Sequence, residues 1–195
     1  MESIECSKIL NKSSEILESF ENSNEGFKLL NPLLIGIIAE IAGDEKIETG
    51  SNLNFYSVFE IFITNKLNIT QNKGKVVVED VLTVGAKSSV NIMQVHQAYA
   101  LKLIFGLFFL SDLDIMKSIS KVTNEEISRY GIVQVYSQND FEFNHRTFAE
   151  FLVAQFFIDN MEEFEDTKSD TKLRILLFYK ALYEHKSYPV IQIFL

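Results

Sequence analysis

Apolar residues recur at helical spacings over most of this chain. Ile9, Leu10, Ile16, Leu17 and Phe20 predict a helix over 3–20, because residues three and four apart share one helical face. The polar run Glu21–Gly26 breaks it. Asn31-Pro32 opens a second helix, where proline fits because the first-turn N–H would be unpaired anyway. Leu33, Leu34, Ile37, Ile38 and Ile41 follow, and Gly43 supplies a stop. Phe55, Val58, Phe59, Phe62 and Leu67 predict a third helix over about 54–68, followed by a turn at Gln71–Gly74. Lys75–Leu82 reads as a short strand or an irregular segment. A fourth helix covers about 88–109, and its second half is apolar on all sides, so it should lie deep.

The period then changes. Thr123 and Glu126 have the spacing of a capping box, in which each side chain bonds the other residue's backbone N–H. The short helix that they start ends at Gly131. Ile132–Tyr136 alternates as a strand, Ser137–Asp140 turns, and Phe141–Phe143 alternates back. A helix over about 146–161 follows at once, carrying Phe148, Phe151, Leu152, Val153 and Phe156. Helix, hairpin, helix is the order of a winged-helix wing. Glu162–Asp170 is acidic, and a last amphipathic helix is expected over 171–185.

The pattern therefore predicts a mostly α protein with one small β-hairpin. A helical subdomain spans 1–110, a winged-helix-like subdomain 111–162, and a further helical segment begins at 163–195. Of 195 residues, 47% are hydrophobic and 17 are Phe, ample material for a core. The net charge of −9 and the lack of any Lys/Arg cluster argue against nucleic acid and anionic membrane surfaces. Leu103–Leu110, the longest uncharged apolar run, is far short of the roughly 17–25 residues of a membrane span. No apolar leader occupies residues 1–20, and the single cysteine, Cys6, cannot form an internal disulfide. A reducing, cytoplasmic location follows.

Motifs for catalysis are lacking. The stretch nearest a phosphate-binding loop, Gly85-Ala-Lys-Ser88, has Val81 and Ala86 where both glycines should stand. His96, His145 and His185 are too scattered for a zinc site. No catalytic or metal-binding residue is assigned, and the chain alone is not expected to be an enzyme. His145, set where strand hands over to helix, either presents a donor to a bound anion or caps the helix or a core carbonyl. Pro32 has its helix-start role. Glu150 is either a solvated side chain or the partner of Arg146 one helical turn away.

Asn31–Glu40, Asn54–Lys66 and Phe141–Gln155, in that order and spacing, resemble the NACHT family of STAND NTPases. The likeness is to the helical and winged-helix parts that follow the nucleotide-hydrolysing core, and the segment His145–Glu150 looks like the arthropod-type members. The resemblance implies that Pro32 packs on the adenine of ADP, and that His145 bonds the β-phosphate and holds a closed state. The P-loop, its lysine and the Mg²⁺-binding acids are lacking from these 195 residues. The expectation is a fragment, a truncated gene model or a decayed paralogue. It would bind no cofactor in isolation and ADP or ATP only when joined to a P-loop domain. Its partners would be an upstream NTPase domain and a downstream repeat domain, with self-association where apolar surface is left uncovered. The function implied is a regulatory, nucleotide-sensing lid; the alternative is a helical protein-interaction module with no nucleotide role.

Overall fold

The structure, a computed structural model, describes residues 2–22, 32–43, 54–78, 91–106, 114–137 and 139–160. The acidic run 162–170, the helix expected at 171–185 and the Gly85–Ser88 stretch lie outside them. The fold is mostly α with a single two-stranded hairpin. Two compact units form, Met1–Asn65 and Lys66–Leu195.

In the first unit, α1 (Glu2–Asn22) packs on α2 (Pro32–Ala42). Leu34, Ile37, Ile38, Ile41 and Ala42 are the buried side of α2. Its last turn closes as Gly43 N–H donates to the Ala39 carbonyl at 3.3 Å. Helix α3 (Phe55–Val78) begins here and crosses into the second unit. Asn54 and Ser57 cap it reciprocally: Ser57 N–H donates to Asn54 Oδ1 at 2.8 Å, and Asn54 N–H to Ser57 Oγ at 2.9 Å. Phe55, Val58, Phe59, Phe62 and Leu67 are all buried, as their spacing predicts.

The turn at 71–74 does not form, and Lys75–Val78 is helix rather than strand or irregular chain, because α3 runs on through Gly74 to Val78; 79–82 lie outside the described residues. One glycine costs a helix only about 1 kcal/mol relative to alanine. Its neighbours Gln71, Lys73 and Lys75 are good helix formers, and no proline interrupts.

The second unit is built round α4 (Ile92–Phe105), which packs on α6 (Arg146–Asp159) and on a 3₁₀ helix at Asp114–Lys121. Every residue from Val95 to Leu101 is buried, as are Ile104 and Phe105, but Leu103 is exposed, so the second half of the helix is not deep on every side; 88–90 and 107–109 of the expected helix lie outside the described residues. Asn91 caps its start, and Gly106, at φ +76°, takes the left-handed turn that ends it. The capping box also forms: Thr123 Oγ1 accepts from Glu126 N–H at 3.2 Å, and Glu126 Oε2 accepts from Thr123 N–H at 3.0 Å. It starts α5 (Asn124–Ser128), and Gly131, at φ +67°, turns the chain into the first strand of the hairpin.

Strands β1 (Val133–Ser137) and β2 (Asp140–Phe143) pair antiparallel, with Val133 opposite Phe143 and Val135 opposite Phe141. Phe141 and Phe143 pack onto a core of Val95, Tyr99, Ile119, Ile127, Val133 and Val135. The Phe141 ring lies 5.0 Å from that of Tyr99, and Lys102 reaches over it to bond Asn139 Oδ1 at 3.0 Å. The hairpin is thus pinned to α4 at its tip. Its register delivers the chain to the N-terminus of α6.

Candidate functional site

Asn144 anchors the exit from β2. Its N–H donates to the Ile132 carbonyl at 3.0 Å and its Nδ2 to the Gly131 carbonyl at 2.8 Å. The next residue, His145, has extended backbone (φ −147°, ψ 136°) and is the N-cap of α6. Thr147 N–H donates to its Nδ1 at 3.2 Å. A backbone amide can only donate, so Nδ1 is the unprotonated nitrogen and the neutral ring carries its proton on Nε2. The Phe148 ring, 6.2 Å away and edge-on, steadies the imidazole from a second side. Among the described residues no hydrogen bond engages Nε2. The result is a half-buried imidazole with one nitrogen fixed by the helix and an N–H donor left over.

The next turn of α6 holds a pair. Arg146 Nε donates to Glu150 Oε1 at 3.1 Å, as the spacing allows. The carboxylate is not a solvated side chain, since its side chain is only 4% exposed. Helix α6 is buried on every side from Thr147 to Phe157, so no solvated face exists at position 150. Burial pushes the Glu150 carboxyl above its ordinary range, and the Arg146 guanidinium pulls part of the way back.

Pro32 is the first residue of α2 and is exposed, in the position where a missing N–H costs nothing. It belongs to the first unit and His145 to the second.

The structure also shows a buried polar group that spacing does not mark. His96 is fully enclosed; its Nδ1 donates to the Ile92 carbonyl at 2.9 Å, while Nε2 has no hydrogen-bond partner among the described residues. The Tyr130 ring stands perpendicular to it at 5.3 Å. Burial lowers its pKa from 6.5 to about 4, partly offset by the Ile92 bond. Gln97, next along, reaches Asp159 Oδ2 at 3.1 Å and ties α4 to the end of α6. Among the described residues no three His, Cys, Asp or Glu side chains are grouped to hold a metal ion. Among them, too, no helix is long and apolar enough to cross a membrane.

Comparison with protein-family models, with curated proteins and with solved structures finds no match. The site is therefore read from its own chemistry: a fixed imidazole donor at the positive end of a buried helix, which suits an anionic oxygen.

Proposed function

We propose that this chain is the nucleotide-sensing lid of a NACHT-type STAND NTPase, regulatory and without hydrolytic activity of its own. The reading rests on one observation, the Nε2–H of His145. The cap on Nδ1 fixes the tautomer, and the fixed tautomer offers a donor beside the N-terminus of α6. A phosphate oxygen of ADP is the acceptor this geometry suits. A bond present in the closed state alone biases a two-state switch by its own free energy. With a charged acceptor that is roughly 1.5–3 kcal/mol, or a factor of about 10–150 in the closed-to-open ratio.

The test separates the cap from the donor. Serine caps a helix as well as most residues do but cannot reach a phosphate. In a protein joining this chain to a P-loop domain, His145→Ser should retain about 10–150-fold less ADP on purification at unchanged thermal stability. His145→Leu should lose both ADP and the cap. Equal ADP content in wild type and His145→Ser would end the lid reading. ATP hydrolysis by this chain alone, abolished by a point mutation within it, would equally end it.

A further inference from the structure

The hairpin has two edges, and they are finished differently. Along β1, Val135 N–H donates to Ser128 Oγ at 3.0 Å; beyond it, where the register shifts between Val135 and Ser137 and the alternation is interrupted, the Tyr136 carbonyl accepts from Asn124 Nδ2 at 3.3 Å. Side chains of α5 bond that edge at these two points. In an antiparallel pair, both backbone groups of a residue point toward the partner strand or both point away, alternating along the strand. Val135 bonds Ser128, so it points away from β2. Asn144 N–H reaches the Ile132 carbonyl at 3.0 Å, so residue 132 points inward. Both observations give one parity. Residues 132 and 134 face β2, and 133 and 135 face out. Opposite them, 142 and 144 face β1, and Phe141 and Phe143 face out. Among the described residues no hydrogen bond engages the outward N–H and C=O groups of Phe141 and Phe143.

We propose that the outer edge of β2 is a docking edge for an extended segment of another protein that carries a basic residue between two apolar ones. The side chains beside the edge fix that chemistry. Phe141 and Phe143 point to the core side, so guest residues paired with them lie on an apolar surface. Asp140 and Glu142 are exposed on the opposite face, so the guest residue between sits beside a carboxylate. Lysine or arginine is favoured there, and glutamate opposed. The same carboxylates argue against a second copy. Pairing β2 with β2 would bring Asp140 and Glu142 against their own kind, in a chain already at −9. Charge on an exposed strand is a known guard against self-pairing.

The test is amide hydrogen exchange at Phe141 and Phe143 in the full chain, with synthetic peptides titrated into the millimolar range. One peptide carries Val-Lys-Val within flanking threonines, and its twin carries Val-Glu-Val. The lysine peptide should slow exchange at both amides and be preferred by roughly 1.4-fold to fivefold, the range of a cross-strand charge pair. Glu142→Lys should reverse that preference. Failure of the lysine peptide to protect these amides would overturn the proposal. Equal binding of both peptides would overturn its charge rule, and slow exchange in the free chain would show that the edge is already covered.

Discussion

His96 gives the sharpest prediction about stability. It is enclosed on α4, donates from Nδ1 to Ile92, and its Nε2 lone pair, inside the core, has no partner among the described residues. Protonating that nitrogen would bury an uncompensated charge away from water, which is why its pKa falls from 6.5 to about 4. In the unfolded chain the imidazole takes up a proton near pH 6.5. Between that pH and about 4 the unfolded state binds the extra proton and the folded state does not. Stability therefore falls as pH falls through this window, and the loss ends below about pH 4, where both states are protonated. A shift of this size is worth about 3 kcal/mol, from 1.36 kcal/mol per unit.

Replacing His96 by leucine, of similar volume, removes both the titration and the unpartnered acceptor. Above pH 7 the two proteins should differ by no more than about 1 kcal/mol, because a lost hydrogen bond and a relieved buried acceptor offset each other. On acidification the variant should pull ahead, by about 3 kcal/mol at pH 4. Urea unfolding between pH 8 and pH 4, followed through amides of α4, measures the gap; the other carboxylates cancel in the difference. Curves that stay parallel across the window would show that His96 is hydrated or paired in the folded protein, and the argument from its burial would fail.

Three further substitutions test the packing around the hairpin and α6. Ser128→Ala should cost about 1 kcal/mol and speed hydrogen exchange at the Val135 amide, because the β1 edge loses this bond; an unchanged exchange rate would show that this bond carries no protection. Glu150→Gln should raise stability at neutral pH relative to wild type, and the gain should shrink on acidification. The folded Glu150 carboxyl has its pKa raised by burial, so the wild-type penalty is relieved as pH falls through that value. Arg146→Met should instead destabilise by roughly 1–3 kcal/mol, since it leaves the buried carboxylate without its donor. Urea midpoints at two pH values check both, and the same sign for the two variants at neutral pH would contradict the assignment.

Local signals in the sequence were legible where one residue type answers one backbone need. Thr123 and Glu126 announce a capping box, Gly131 a left-handed turn, and alternating Phe141 and Phe143 a strand with one buried face. The end of α3 was not legible, because Gly74 is a common turn residue and a tolerable helix residue, and the difference of about 1 kcal/mol is decided by context. The 3₁₀ helix at Asp114–Lys121 carries no capping pattern to announce it. Helices α4 and α6 mark a different limit. Each is buried on all sides over seven residues or more, so periodicity no longer tells inside from outside. That is why the burial of His96 and of Glu150 emerges only once α4 lies on α6 and the 3₁₀ helix.

At His145 the two readings that the sequence leaves open, helix cap and anion donor, draw on different atoms. The cap uses Nδ1 as an acceptor; a ligand would use Nε2 as a donor. The first use prepares the second, because an imidazole whose tautomer is free to change offers a donor at Nε2 only part of the time. The cap also ties the ring to the start of α6, and Asn144 ties that start to the base of the hairpin through Gly131 and Ile132. A ligand pulling on Nε2 therefore acts on the junction of hairpin and helix through bonds already in place. Serine at position 145 keeps the junction and removes the donor, whereas leucine removes both. The difference between those two variants isolates what the imidazole contributes beyond holding its own helix.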